Sequence, residues 1–541
     1  MTEASDPGAI GRFLEELDAA VFLFGAGLSI GLIALYLLSP GTVENAIATA
    51  NTVFLDYLNW AILVIVFLVV LFLLFLIVGP WGRITFGDDP PEFSFLSFFT
   101  MIYSAGFAAG VVFWGPTEAL FYYADPSPLY DVSGGSAEAM SLAVQYTLFH
   151  WALPQLAVFT IMGIAIGYFA YNYESVPLRV SSLLTPLVGV DRLDGPLSKF
   201  VDVFAVFATI GGVATSLGFI GSQFITGLDY QWGIDLGDTG VIAVVTGMTL
   251  LFTLSMVLGV DRGIRRLSNF NMALFVVLML ATFVLGPTFF LVLVGTQALG
   301  GMISDFTAMS LFTGAGVAGG TEWANAWTVF YWAWALSWSP FAGLFIARIS
   351  RGRTVREVAF TGIVATSAAT IPWFTIVGGT AVWTQHNGIA DILGPAGEVG
   401  AEVSGFVLSE TFPLGSLFMI AFMILVTTFF VTSADSSTLA VSMMTTGGKA
   451  SPSNINRVFW GVMLGVTAAI LMTLGGVDAL QSAAVVTGGP FAFVCLVAMI
   501  GLIKEFSTTH GRVLLQDETT IVGSWPPTRD RRTDAPPSDD D

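Results

Sequence analysis

The distribution of cations constrains this chain more than any other feature of its sequence. All 19 Lys and Arg residues fall on one side when the long apolar runs are threaded back and forth through a bilayer. A hydrocarbon core about 30 Å thick needs roughly 20 apolar residues per helix. Twelve runs of that kind centre on Ala19–Ser39, Trp60–Val78, Phe93–Tyr123, Ala139–Tyr171, Val203–Leu228, Val241–Val260, Met272–Thr296, Trp323–Ala347, Val358–Thr384, Ser416–Thr446, Val458–Leu474 and Gln481–Ile503. Arg12 precedes the first and Arg83 follows the second. Arg179, Arg192 and Lys199 follow the fourth, and Arg262, Arg265 and Arg266 the sixth. Arg348, Arg351, Arg353 and Arg356 follow the eighth, Lys449 and Arg457 the tenth, and Lys504, Arg512, Arg529, Arg531 and Arg532 the twelfth. Short cytoplasmic loops accumulate Lys and Arg, and the opposite loops here hold acids such as Asp131, Asp238, Asp305 and Glu402. A miscount by one span would move some of these cations outside. The pattern predicts an all-α integral membrane protein of twelve transmembrane helices, multi-pass in the plasma membrane with both termini cytoplasmic.

Composition agrees, with 55% hydrophobic and 11% charged residues against roughly a quarter charged in soluble proteins. The net charge of −20 argues against a nucleic-acid partner. Residues 1–18 read as a cytoplasmic N-terminus without the basic region of a cleavable leader, and 19–503 as the span domain. Residues 504–541 form an acidic tail ending in Asp539, Asp540 and Asp541, expected to be disordered. Between the seventh and eighth spans, Gln297 to Gly320 reads as an outer interfacial helix. A single cysteine, Cys495, and three scattered histidines, His150, His386 and His510, exclude a disulfide framework and suggest no metal cluster. With no nucleotide loop or nucleophile–base constellation, an enzyme is disfavoured.

Helices interrupted by small residues near the midplane are where transporters free backbone groups for ions and substrates. The third run is such a helix, Ser104-Ala105-Gly106-Phe107-Ala108-Ala109-Gly110 followed by Gly115-Pro116-Thr117-Glu118. The glycines equally suit close helix packing. Glu118 favours function, since an ionisable group at membrane depth points to a site. The eighth run concentrates Trp323, Trp327, Tyr331, Trp332, Trp334 and Trp338 deeper than an interfacial belt requires, and indole faces attract a desolvated quaternary ammonium by about 2 kcal/mol. The tenth gathers Thr427, Thr428, Thr432, Ser433, Asp435, Ser436 and Ser437 around Phe429-Phe430, oxygens suited to sodium or bonded back onto their own helix.

The run from Trp323 through Trp327-Thr328-Val329-Phe330-Tyr331-Trp332-Ala333-Trp334 and Ser337-Trp338-Ser339-Pro340-Phe341 to Ile349-Ser350-Arg351-Gly352-Arg353-Thr354 resembles the signature of the betaine/choline/carnitine transporter family. Phe113-Trp114-Gly115 with Glu118, Phe149-His150-Trp151, Thr215-Ser216-Leu217-Gly218, Leu267-Ser268-Asn269 and Thr432-Ser433-Ala434-Asp435-Ser436 follow in family order. The resemblance implies an inverted repeat of five helices, spans 3–7 and 8–12, with a discontinuous helix at the midplane site. It implies a homotrimer in membrane lipid that imports a small quaternary ammonium compatible solute with sodium as coupling ion and no other cofactor. By position, one sodium site would use Ser104, Phe107, Phe429, Thr432 and Ser433, and a second Thr209 and Phe341. Val213 stands where the second site has another threonine, leaving one or two ions open. In the aromatic cage Trp151 is kept and Phe159 replaces a Tyr, while Leu156 and Ala335 replace two Trp, so Trp334, Trp338 or Phe345 would have to close it over Gly106 and Gly110. The alternatives are a different small zwitterion, different ion coupling, or a solute-binding channel or receptor.

Overall fold

The computed structural model describes residues 9–257, 261–449 and 451–511; the side chains at 9, 104–109, 238, 239, 241, 255–257, 261–266, 268 and 473–478 also lie outside the described set. Every element longer than one bridge is helical among the described residues. A short helix, α1 (Ala9–Glu16), leads into α2 (Ala19–Leu38), which Asp18 caps by accepting from the Val21 amide at 3.3 Å. Next come α3 (Pro40–Val78), α4 (Phe95–Trp114), α5 (Glu118–Ala124), α6 (Ala137–Trp151) and α7 (Leu153–Asn172). The middle of the chain supplies α8 (Pro196–Trp232), α9 (Gly237–Val257), α10 (Asp261–Leu285) and α11 (Thr288–Ser304). The last five are α12 (Gly320–Ile349), α13 (Val355–His386), α14 (Gly415–Met444), α15 (Asn454–Gly488) and α16 (Phe491–Thr509).

Among the described residues nine helices are long and apolar enough to cross a membrane, or ten if the bent pair at α10–α11 is one span. Several bounds differ from the sequence reading for identifiable reasons. The seventh run is two helices: α10 stops at Leu285 and the chain turns by 110° into α11, because Gly286-Pro287 cannot continue the ladder. The helix expected from Gln297 therefore begins at Thr288. Gln481 to Gly488 complete α15, and the last helix starts only after Gly489-Pro490. It runs to Thr509, so 504–509 continue α16, while 512–541 lie outside the described residues.

Burial sorts the helices. The α6–α7 and α12 windows are 94% buried against 28% for α2, so the first two form the centre. Small residues let them approach: a Cβ on Gly163 of α7 would lie 2.5 Å from Ile346 Cγ2, and one on Gly343 of α12 would lie 2.4 Å from Met162 Cβ. That is the close packing on which helices in lipid depend.

The Arg-rich segment after α12 ties the centre to α3. Arg353 donates to the Phe93 carbonyl and sits 4.1 Å from the Phe98 ring centre. Arg356 donates to Ile77 O at 2.5 Å and Gly79 O at 2.9 Å, closing carbonyls that the end of α3 leaves open. Gly352, at φ +78°, is required there, since a Cβ would strike the Asp89 carbonyl at 2.3 Å.

Candidate functional site

Two helix breaks and one π segment build the site. α4 ends at Trp114, and Gly115-Pro116-Thr117 redirect the chain so that α5 opens on Glu118, which is fully buried. α6 ends at Trp151; Ala152 leaves helical geometry (φ −102°, ψ −132°) and Pro154 sits in the first turn of α7. The break therefore falls inside the fourth expected run and places Trp151 at a helix end. In α12, Asn325–Val329 is a π-helical turn, a feature common at functional sites. It brings Thr328 to His150 and Trp327 to within 4.8 Å of Tyr122, ring centre to ring centre.

Glu118 joins these pieces. It accepts from Tyr331 Oη at 2.7 Å and from the Trp151 indole, and its Oε1 is 3.1 Å from His150 Nδ1. His150 Nδ1 also lies 2.7 Å from Tyr122 Oη, and Nε2 lies 3.0 Å from Thr328 Oγ1. A lone buried carboxylate is expensive; these polar partners from α6 and α12 offset that cost.

Beside this network a cavity is lined by Gly110, Trp151, Gln155, Phe159, Trp334, Ala335 and Trp338. A Cβ on Gly110 would lie 2.7 Å from Trp151 Cη2 and 2.8 Å from Trp334 Cη2, so the two indoles converge on a position only glycine leaves open. The cavity holds about 10 Å³, room for one water, and a larger guest requires a wall to move. Two walls are pinned: Trp151 by Glu118 and stacking on Phe374 at 4.8 Å, Trp338 by donating to Gly212 O at 2.9 Å. Trp334 is held by rings alone, stacked on Phe330 at 5.9 Å and edge-on to Phe219 at 5.6 Å, and its Nε1 has no hydrogen-bond partner. A second cavity, beyond Phe159, is lined by Ile102, Leu156, Phe159, Thr160, Ala342, Ile346 and Gly362. Leu156 and Ala335, the two positions where the resemblance leads one to expect Trp, thus line the two spaces either side of Phe159.

Trp151, Phe159, Trp334, Trp338 and Gly110 come together around one space, whereas Phe345 lines neither cavity. Ser104, Gly106 and Phe107 fall in 104–109 and lie outside the described side chains. Thr432 Oγ1 donates back to its own helix, to Phe429 O at 3.1 Å and Thr428 O at 3.2 Å, and accepts from Asn271 of α10 at 3.3 Å. Ser433 is buried one residue on. Thr209, Val213 and Phe341 are all buried, and Thr209 Oγ1 has no hydrogen-bond partner. Sequence reasoning passed over Asn271 and Gln155. The signal for Gln155 was available: it is an amide in the apolar stretch after Pro154.

The family model described as BCCT, betaine/carnitine/choline family transporter, matches residues 20–511. The chain belongs to this family. It is similar to the glycine betaine transporter OpuD of Bacillus subtilis (strain 168), 37% identical over 491 residues that cover 90% of this chain and 94% of that one. Glycine betaine transporter 1 of Vibrio parahaemolyticus serotype O3:K6 is 35% identical, covering 89% and 93%. The glycine betaine/proline/choline transporter VP1723 of the same strain is 33% identical, covering 92% and 91%. The protein is accordingly a multi-span membrane transporter and not an enzyme.

Proposed function

We propose that this transporter is a sodium-coupled symporter of the plasma membrane that imports a glycine betaine-type zwitterionic compatible solute. The observation that carries the reading is the convergence of three indoles and a phenyl ring, Trp151, Trp334, Trp338 and Phe159, over Gly110 in a cavity without Lys or Arg in its lining. Aromatic faces in such a desolvated space attract a methylated ammonium, and the relatives named above are glycine betaine transporters. The sodium assignment rests on family position: Ser104, Phe107, Phe429, Thr432 and Ser433 would hold one ion. Val213 offers no side-chain oxygen beside Thr209 and Phe341, so this reading takes coupling to one sodium. Twelve spans, of which 3–7 and 8–12 form two inverted five-helix repeats, a discontinuous third span at the site, a homotrimer and cytoplasmic termini belong to the same proposal.

The test is uptake of labelled glycine betaine into proteoliposomes with and without an inward sodium gradient. A tenfold gradient and about 100 mV supply roughly 3.7 kcal/mol per ion, close to 500-fold accumulation. Uptake that only equilibrates, with binding retained, would replace the symporter by a channel or receptor.

A further inference from the structure

The break between α6 and α7 makes a helix begin at the cavity. Ala152 is the N-cap of α7, and it has no side-chain oxygen to bond the amides that the first turn leaves open. The partial positive charge of this N-terminus is therefore not capped by a side chain. Helices that start inside a transporter turn this end toward the anionic groups of a solute.

An independent observation at the same place points to a ligand. Gln155, the third residue of α7, lines the cavity and is 5% exposed, and among the described residues neither end of its carboxamide has a hydrogen-bond partner. Oε1 is sealed within the protein, which leaves the Nε2 donor as the end that reaches the open space. The lining contains no Lys or Arg. Its indole N–H groups are engaged or sealed, Trp151 on Glu118, Trp338 on the Gly212 carbonyl and Trp334 Nε1 without access to the cavity. The Gln155 amide is thus the side chain placed to pair a carboxylate there.

Gln155 precedes Phe159 by four residues, so the two share one face of α7 with their Cβ atoms about 5–6 Å apart. A trimethylammonium head held by the rings has this donor one helical turn away, a spacing that suits a carboxylate borne on a short arm. Glycine betaine and choline carry the same head, so the ring faces serve both equally. They differ at the other end. A carboxylate accepts a charge-assisted hydrogen bond, roughly twice as strong as the bond to a neutral hydroxyl. Without a donor the order reverses, because a dry site costs a carboxylate far more than a hydroxyl.

We propose that Gln155 is a specificity-determining residue whose carboxamide N–H, at the start of α7, holds the carboxylate of the solute and makes the site select betaines over the corresponding amino alcohols. This rests on the transport reading given above and names the group that reads the anionic end of the solute.

The experiment titrates glycine betaine and choline separately, following tryptophan fluorescence of the full-length protein in lipid nanodiscs at pH 7. The wild type is expected to bind glycine betaine about tenfold or more tightly than choline. In Gln155→Leu, which has no donor, that ratio is expected to fall to about one or invert, with the loss confined mainly to glycine betaine. Gln155→Met, also without a donor, gives the same reading where the leucine variant does not fold. Choline binding to the wild type as tightly as glycine betaine, or more tightly, overturns the proposal, leaves the transport reading intact and needs no variant. An unchanged ratio in a folded donor-less variant also overturns it. Failure of both solutes to bind the folded wild type removes the transport reading itself, and this inference with it.

Discussion

Trp151 donates its indole N–H to Glu118, although the two stand on opposite sides of separate helix breaks. One wall of the aromatic cavity is thereby aimed by a carboxylate that does not line that cavity. Glu118→Gln keeps the volume and one acceptor but turns an amide toward groups that also donate. The expected result is a loss of about 1–3 kcal/mol in stability with solute affinity lowered at least tenfold, read as Tm in detergent and as a fluorescence titration. Unchanged affinity in a folded variant would uncouple Glu118 from the cavity.

Gly110→Ala separates packing from propensity. Alanine in a helix interior gains roughly 1 kcal/mol over glycine, yet here its Cβ lies within 2.8 Å of ring carbons of both Trp151 and Trp334. Those ring atoms are not flexible chain ends, so the indoles must part. Transport is expected to fall at least tenfold while Tm changes by only a few degrees, measured on one preparation by uptake and thermal melting.

Pro340 lies inside α12 and cannot donate to the Leu336 carbonyl; Ser339 Oγ donates to it instead at 2.7 Å. Ser339→Ala should leave a buried carbonyl unsatisfied and cost about 1–2 kcal/mol. In a Pro340→Ala background the restored amide takes over, so the same change should cost at least 0.5 kcal/mol less. A double-mutant cycle of thermal melts measures this, and additive effects would contradict it.

The sequence disclosed this site unevenly, for physical reasons. Trp334 and Trp338 were legible because indoles deeper than the interface need a reason to be there, Glu118 because charge at that depth does, and Trp151 through the family resemblance alone. The break at Ala152 was not legible, since an uncharged apolar run looks the same whether its helix is continuous or broken, and only Pro154 marked it. The 110° turn after Leu285 was likewise hidden within one apolar run except for Gly286-Pro287. Gln155 was missed because an amide among apolar residues carries no charge to notice; its significance lies in being unpartnered, which only coordinates reveal.

In the segment after α11, Asp305 accepts from Tyr130 Oη at 2.8 Å and from Gln145 at 3.3 Å. The Tyr130 hydrogen bond is the main cause that holds the Asp305 carboxyl below its ordinary value of 3.8. A depressed carboxyl contributes stability that is present above the unfolded value and lost as pH falls through the folded one. Asp305→Asn should therefore melt below wild type at pH 7, by a modest margin given solvent screening. The gap should close as pH drops below about 4. A gap that persists unchanged at pH 3 would assign the effect to shape rather than charge.

Val213 gives the ion stoichiometry a direct test. Thr209 is buried with its hydroxyl unpartnered, and Val213 stands one turn further along α8, also buried. Threonine has nearly the same volume as valine, and in a helix its hydroxyl can bond back to the carbonyl one turn earlier, so Val213→Thr should fold. It would supply a second oxygen beside Thr209 and Phe341, as the family pattern has it. Reversal-potential measurements in proteoliposomes are expected to give one sodium per solute for wild type and a value approaching two for the variant. Each added ion contributes roughly 3.7 kcal/mol at a tenfold gradient and about 100 mV, so the limiting accumulation would rise from about 500-fold toward its square. A wild-type value of two would show that the second ion binds without the Val213 position.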